Sequence, residues 1–279
     1  MIILAEPIVS IIVIGHSVRE ELERCLDSIA AHAALPAEVI YVDNASTDGT
    51  LEWLTATWPS VRVVALTRNR FGIAREHGLR LVRGRHTMFL DSDAQLTPGA
   101  LETMVDALDA HPEWGMVGPK LVYDDGTLQL SCRRYPPLAL PFLRRPPLDR
   151  YFDDGKTVRH HLMADDDHGH ARPVLYVISA CQLFRTDLAR KAGPFDERAL
   201  AWGWEDTDWC LRIRDAGGEI VYLPSATVIH TYRRLTAAKP VSTDALKQLR
   251  AHARFQLKYL RRRHELIALS ERLDREAAA

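Results

Sequence analysis

Two aspartates one residue apart, Asp91 and Asp93, follow directly after the apolar stretch HTMFL at 86–90. Carboxylates at this spacing can both reach one cation, and a set of oxygen ligands favours Mg²⁺ or Mn²⁺, which also binds phosphate oxygens. Aspartate and serine are equally common in turns that lead into helices. Asp91-Ser92-Asp93 therefore predicts either a divalent-metal site or a turn.

A second acidic segment, AWGWEDTDWC at 201–210, combines three tryptophans with three carboxylates. A helix that begins near Glu205 would place Glu205 and Asp206 in its first turn, where the helix dipole stabilises negative charge. Asp208 and Arg212 are four residues apart and could form an ion pair on one face of that helix. The spacing thus predicts an acidic helix start.

The Trp-Gly-Trp string before this helix leaves two interpretations open. In the first, Trp204 and Trp209 pack in the core of an ordinary amphipathic helix, which leaves the string itself unexplained. In the second, aromatic rings stack a sugar while a neighbouring carboxylate takes a proton from its hydroxyl. The second interpretation predicts an acceptor site formed by Trp202, Trp204, Glu205 and Asp208.

Short apolar stretches alternate with helical segments through the first 110 residues. Strands predicted at 8–15, 38–43, 61–66 and 86–91 indicate an α/β fold with a mostly parallel central sheet and helices on both faces. Ligands of such sheets bind at the carboxyl ends of the strands. The candidates for nucleotide binding lie at or near those ends: Gly15, His16, Asp43, Asn44, Arg68, Asn69, Arg75, Asp91 and Ser92. The string VDNASTDG that contains Asp43 and Asn44 is equally typical of a turn with a helix cap.

The bulk properties of the chain exclude several classes of protein. With 279 residues and 47% hydrophobic residues, it can form one large domain or two modest ones. A net charge of -1 indicates no nucleic-acid partner. The four cysteines form no CxxC pair, and the apolar N-terminus has neither a basic region nor a signal-cleavage site. We expect a cytoplasmic protein without a zinc site or a disulfide framework.

The second half of the chain is less regular. Residues 131–172 show little periodicity and predict a long surface loop, which could close over a substrate. The histidines and aspartates at 159–173 could bind a metal, but without regular spacing a solvated loop is favoured. Residues 243–273 predict one amphipathic helix with a basic face. This helix could pack on its own domain, lie on the inner face of the cell membrane, or form a homodimer.

Six strings in order carry a resemblance that covers nearly the whole chain. They are VSIIVIGHS…LERCLDSI, EVIYVDNASTDGT, NRFGIAREHG, HTMFLDSDAQLTPGAL, ISACQLFRTDLARKAGPFDE and WGWEDTDWCLRIRDAGGEIVYLPSATVIH. The sequence resembles family 2 glycosyltransferases of the GT-A fold, and within them the bacterial rhamnosyltransferase-like branch. The resemblance implies a GT-A domain at 1–242, with a nucleotide-sugar half at 1–118 and an acceptor half at 119–242, followed by the helix at 243–279.

The resemblance also implies roles for individual residues. Asp43 and Asn44 would contact the base or ribose of a nucleoside-diphosphate sugar, for which UDP or dTDP is favoured. Asp91 and Asp93 match the pair that holds the donor diphosphate through Mn²⁺ or Mg²⁺, and His230 matches a histidine that joins this site in some relatives. Asp206 matches the general base of an inverting transfer to a glycan, lipid-linked or small-molecule acceptor.

Three other functions fit the sequence less well. A sugar nucleotidyltransferase would carry a glycine-rich, basic loop near the N-terminus, where IVIGHSVREE has one glycine and one arginine. A non-catalytic binding scaffold would not need intact acidic residues at 91, 93 and 206. A dinucleotide-dependent dehydrogenase is disfavoured because no GxGxxG string follows the first strand.

Overall fold

In the computed structural model, the described residues are 6–144, 149–152, 154–200, 203–231 and 243–278. The first part alternates strands and helices, as predicted. Its elements are β1 Val9–Gly15, α1 Arg19–His32, β2 Ala37–Asp43, α2 Thr50–Thr57, β3 Arg62–Ala65, a 3₁₀ turn Phe71–Ala74, α3 Arg75–Leu79, β4 His86–Asp91, β5 Ala94–Leu96 and α4 Ala100–Ala110.

The second part adds strands to the same sheet. Its elements are β6 Trp114–Val122, β7 Leu128–Gln129, β8 Cys132–Arg133, α5 Leu140–Leu143, α6 Asp149–Phe152, α7 Lys156–Leu162, β9 Arg172–Pro173, β10 Tyr176–Val177, β11 Cys181–Arg185, α8 Thr186–Ala192, α9 Glu197–Leu200, α10 Glu205–Asp215 and β12 Glu219–His230. Strand β12 is long, and its pairing with β6 shifts register between Leu223 and Thr227.

The central sheet has the strand order β3-β2-β1-β4-β11-β6-β12-β5. Strands β1 to β4 are parallel, whereas β11 runs antiparallel between β4 and β6. Side chains alternate across the sheet, so Ile11 packs into the core on one face and Ile12 into the core on the other. The prediction of a mostly parallel sheet with helices on both faces is confirmed. The predicted boundary at 118 falls inside β6, and the division into halves stays a prediction.

Residues 131–172 are not one long surface loop, as the sequence predicted. They contain β8, the short helices α5 to α7 and the start of β9, with Val158 and Met163 buried beneath them. Arg134 and Arg172 both form ion pairs with Asp166. These contacts join residues distant in sequence, which is why no local periodicity indicated them.

The C-terminal region forms two helices where the sequence predicted one. Helix α11 spans Thr243–Lys258, a 3₁₀ turn spans Leu260–Arg262, and α12 spans Arg263–Ala278. The break follows Tyr259, which is buried with its hydroxyl on Asp208, and Arg262 pairs with Asp215 in the turn. Of the three alternatives, packing on the chain's own domain is the one the structure displays; membrane and dimer contacts stay predictions.

Two further expectations concern covalent and membrane structure. All four cysteines are free and buried, as expected for a chain without a disulfide framework. Among the helices of the described residues, none combines the length and apolar character that crossing a bilayer requires.

Candidate active site

The ends of β4 and β12 bring the three predicted metal ligands together. Asp91 ends β4, Asp93 follows it, and His230 ends β12, where it pairs in register with Ala94. One ligand atom from each of Asp91, Asp93 and His230 lies within 4.8 Å of the other two. Two carboxylates and an imidazole at this separation can hold one divalent cation.

The surroundings of His230 support cation binding at this point. Its Nδ1 lies 2.6 Å from Gln129 Oε1, so the ring donates a proton there and directs Nε2 at Asp93 Oδ1, 3.3 Å away. Burial lowers the pKa of His230, but the contact with Asp93 and the nearby carboxylates raise it more, and the net shift is upward. A proton or a metal ion between Nε2 and the carboxylate relieves the repulsion of their lone pairs.

Arg75 connects this acidic group to the start of α10. The side chain is buried, donates from Nη2 to Asp91 Oδ1, and has Nη1 3.9 Å from Glu205 Oε1. Burial raises the pKa of Asp91, and Arg75 opposes that rise. A Cβ atom on Gly72 would stand 1.9 Å from Glu205 Oε1, so any side chain at 72 would displace the Glu205 carboxyl from this position. The two acidic segments that the sequence singled out are therefore neighbours.

Helix α10 begins at Glu205, as predicted, and an aromatic residue precedes it in an unusual conformation. Trp204 has φ of 70°, a left-handed value that is uncommon for a bulky side chain. Its ring stacks on Phe255 of α11, with 5.4 Å between centroids, and lies 4.8 Å from His252. Packing against α11 thus holds the strained turn that presents Glu205 and Asp206.

Asp206 lies in a pocket of polar and charged groups. Its Oδ1 accepts hydrogen bonds from the Thr207 amide (2.7 Å) and hydroxyl (3.3 Å). Burial raises the pKa of Asp206, while Thr207, Arg75 and Arg133 act in the opposite direction. Burial raises the pKa of Tyr176, and the charge of Asp206 raises it further. A carboxylate so held can accept a proton from a bound hydroxyl.

Glu205 is a buried acid that its surroundings keep protonated to unusually high pH. Burial raises the pKa of its carboxyl to about 7, with a further contribution from the charge of Asp206. The folded chain therefore binds this proton more tightly than the unfolded chain does. As pH rises through the interval from the ordinary pKa of 4.5 to about 7, this group alone lowers the free energy of unfolding.

We expect Glu205→Gln to remove this pH-dependent decrease in the free energy of unfolding, because glutamine has a similar shape but carries no charge. Above pH 7 the variant should be more stable than the parent by up to about 3 kcal/mol, and the difference should vanish near pH 4. Denaturant unfolding from pH 4 to 8 without added metal measures it. The exposed Glu23→Gln serves as control and should give a curve parallel to the parent. A parallel curve for Glu205→Gln would contradict the assignment.

The residues predicted to bind the nucleotide lie at the edge where β1 and β2 end. Asp43 is buried, and its Oδ1 meets no hydrogen-bond partner among the described residues, so its capacity to accept a hydrogen bond is unused. The Asn44 side chain instead supports the neighbouring turn: it accepts from the Arg70 amide (2.7 Å) and donates to the Phe71 carbonyl (3.2 Å). His16 is exposed and contacts the Asn44 carbonyl.

The remaining candidates lie in different surroundings. Gly15 is buried beside Tyr41, Arg68 is exposed, and Asn69 bonds the Phe71 amide. Ser92 is buried between the two aspartates. Trp202, predicted to contact the acceptor, lies outside the described residues.

Asp208 requires a correction. The sequence assigned it to the acceptor, but its side chain is completely buried and bound by the chain's own groups. Tyr259 donates to Oδ1 at 2.7 Å, Lys258 Nζ lies 2.6 Å from the same oxygen, and Arg212 Nε lies 3.2 Å from Oδ2. The pairing with Arg212 was predicted; the contacts with Lys258, at the end of α11, and with Tyr259, directly after it, were not, because these residues lie about fifty positions away in the sequence.

Comparison with known proteins identifies the family. The sequence matches the family described as glycosyl transferase family 2 over residues 10–191. The chain belongs to this family. It is 27% identical over 277 aligned positions to the N-acetylglucosaminyl-diphospho-decaprenol L-rhamnosyltransferase of Mycobacterium tuberculosis, covering 92% of this chain and 85% of that one. The rhamnosyltransferase-like resemblance is thereby confirmed.

Solved structures confirm the GT-A fold of this glycosyltransferase. GalNAc-T7 with UDP, GalNAc and Mn²⁺ superposes with a TM-score of 0.63 at 16% identity; the match covers 87% of this chain and about half, 47%, of that chain. The mannosyltransferase PcManGT from Pyrobaculum calidifontis, with GDP-Man and Mn²⁺, gives 0.57 at 19% identity, covering 90% of this chain and 70% of that one.

Several residues of this glycosyltransferase site were not predicted from the sequence. Gln129 orients His230, Gly72 makes room for Glu205, and Arg133 and Tyr176 act on Asp206. Gln129 and Arg133 lie in or beside the segment interpreted as a loop. Gly72, three residues before Arg75, was the one local signal that the sequence offered.

Proposed function

We propose that this glycosyltransferase is metal-dependent and inverts the configuration of the sugar it transfers from a nucleoside diphosphate to an acceptor hydroxyl. The observation that carries the proposal is the connection of the two acidic groups through Arg75, which contacts both Asp91 and Glu205. This contact supports a donor diphosphate site at Asp91 and an acceptor base beside Glu205 that would lie next to each other.

The residues at 91, 93 and 230 fit Mn²⁺ or Mg²⁺. Two carboxylates supply the oxygen ligands that both ions prefer, and the imidazole nitrogen adds affinity for Mn²⁺. A bound ion would act as a Lewis acid that neutralises charge on the departing diphosphate. The chain's own contribution is to orient the ligands: Gln129 fixes the ring of His230, and Arg75 fixes the carboxylate of Asp91.

Asp206 would take the proton from the acceptor hydroxyl as its oxygen attacks the anomeric carbon. The bond to the nucleoside diphosphate breaks as the new glycosidic bond forms, so a single displacement inverts the configuration. Asp43 would accept a hydrogen bond from the donor nucleotide through its otherwise unbonded oxygen. Trp204 would supply an aromatic face for the acceptor sugar.

The relative from M. tuberculosis suggests the substrates, since its name specifies rhamnosyl transfer to a sugar on a lipid diphosphate. We propose a deoxyhexose of the rhamnose type carried by dTDP or UDP, and a lipid-linked acceptor in polysaccharide synthesis. We further propose that transfer takes place at the cytoplasmic side of the membrane.

Asp93→Ala should abolish metal-dependent nucleotide binding, because it removes one of two anionic ligands. A thermal-shift panel of UDP, dTDP, GDP and CDP, each with and without Mn²⁺ or Mg²⁺, measures the effect. For the parent, binding to the folded state adds about 2.7 kcal/mol at about a hundredfold excess over Kd. The control Asp106→Ala alters an exposed aspartate on α4 and should retain the shift. A parent chain that responds to no nucleotide with either metal would contradict the proposed function.

A further inference from the structure

The short helices α5 and α6 expose an unusual concentration of apolar side chains. Nine large hydrophobic side chains are exposed among the described residues, and four of them fall between residues 138 and 152. These four, which define the α5–α6 surface, are 52%, 56%, 66% and 45% exposed: Leu138, Phe142, Tyr151 and Phe152. Single exposed apolar residues are ordinary, but a cluster indicates an interaction site.

The inner side of the same segment is also apolar. Leu140 and Tyr135 are buried, and Gln256 of α11 bonds the Pro136 carbonyl at 3.0 Å, which fixes the segment to the domain. Helix α5 reads LPFL and has no polar face to turn toward water. A helix that is apolar on every side needs apolar surroundings on its outer side as well.

The charge of this region indicates what those surroundings are. Residues 133–160 hold seven arginines and lysines against three aspartates, in a chain whose net charge is -1. Arg134 and Arg159 pair with aspartates, whereas Lys156 is exposed. Exposed tyrosine and phenylalanine among basic residues is the composition of segments that lie in the head-group layer of a membrane. Anionic lipids attract such segments, and no embedded helix is needed.

The α5–α6 surface adjoins the acceptor side of the active site. Arg144 follows α5, which packs against α7, and α7 in turn packs against β8, the strand that carries Arg133. Arg133 also interacts electrostatically with Asp206, the proposed base. One short path therefore leads from the exposed aromatic rings to the place where the acceptor hydroxyl would bind.

We propose that the α5–α6 surface rests on the anionic head groups of a membrane and presents Asp206 to a lipid-linked acceptor held there. This inference rests on the proposed function, and it moves the membrane contact away from the C-terminal helix, where the sequence placed it. Leu257 and Leu260 are exposed there too; of the neighbouring cations, Lys258 pairs with Asp208 and Arg262 with Asp215, whereas Arg261 is exposed.

Vesicle binding distinguishes the two surfaces. The full chain is sedimented with vesicles of phosphatidylglycerol and phosphatidylcholine, or of phosphatidylcholine alone. We expect the parent to bind the anionic vesicles, to bind less at high salt, and to leave neutral vesicles largely unbound. The double variant Phe142→Ser/Tyr151→Ser should reduce the partition constant by at least about tenfold. The matched control Leu257→Ser/Leu260→Ser, with two side chains of similar exposure, should bind like the parent.

Several outcomes would overturn the proposal. These are failure of the parent to bind anionic vesicles, an equal loss in both double variants, or a loss in the control alone. Light scattering tests whether a second copy of the chain, and not a membrane, covers the α5–α6 surface. If the parent is a dimer and Phe142→Ser/Tyr151→Ser makes it a monomer, the proposal is also overturned. Thermal melting checks folding of each variant. The metal-dependent thermal shift with nucleotide is measured without vesicles, so its absence would count against the proposed function. A variant that keeps this shift but no longer binds vesicles has lost only the membrane contact of the α5–α6 surface.

Discussion

Asp206→Asn should lower the rate of sugar transfer by about 10²- to 10⁴-fold while leaving donor binding unchanged. Asparagine keeps the size of the side chain and can still accept from the Thr207 amide, so the start of α10 should stay in place. What it cannot do is take a proton from the acceptor. Initial rates with dTDP-rhamnose and a lipid-diphosphate N-acetylglucosamine acceptor, beside nucleotide thermal shifts, separate the two effects.

The pH profile provides a sharper test of the same role. A base must be deprotonated to act, so the parent rate should fall as pH falls through the pKa of Asp206. Burial raises that pKa, so the fall should lie above the ordinary value for aspartate. The residual rate of Asp206→Asn should lack this acidic limb. If Glu205→Gln removed transfer and Asp206→Asn did not, the base would be Glu205.

The regular part of the fold was predictable because its signals are local. Val9–Gly15 and His86–Asp91 are nearly continuous apolar strands, and residues buried on both faces of a parallel sheet must have that composition. Asp91 and Asp93 were placed at the sheet edge by the same reasoning. The start of α10 at Glu205 followed from its acidic residues and the helix dipole.

The parts that were not predicted depend on contacts between distant residues. The amphipathic pattern at 243–273 continues through the break at Tyr259, and only the buried bond to Asp208 reveals why the helix stops. The pairing of β8 with β10 brings Arg133 near Asp206, and no spacing in the sequence predicts that pairing. The sequence pattern around Asp208 was that of an acceptor residue, because its partners at the end of α11 are too distant in the sequence to be predicted.

Asp208→Ala should lower the free energy of unfolding by about 3–5 kcal/mol, since it removes the shared partner of a buried charged group. The Tyr259 hydroxyl would then stay buried without its acceptor and Arg212 would lose the carboxylate beside its Nε, while Lys258 would keep Asp196, whose carboxylate lies 3.1 Å away. The aspartate joins the first turn of α10 to the end of α11. Denaturant unfolding measures the loss.

The matched control is Asp215→Ala, in the last turn of the same helix. Asp215 pairs with Arg262 at 2.7 Å, but its side chain is 43% exposed, so we expect a loss of about 1 kcal/mol or less. Comparable losses in the two variants would show that burial does not set the strength of the Asp208 contacts. Where Asp208→Ala stays folded, its transfer rate should fall more than its nucleotide binding, because the turn that carries Trp204 and Asp206 is then held to α11 by the packing of Trp204 alone.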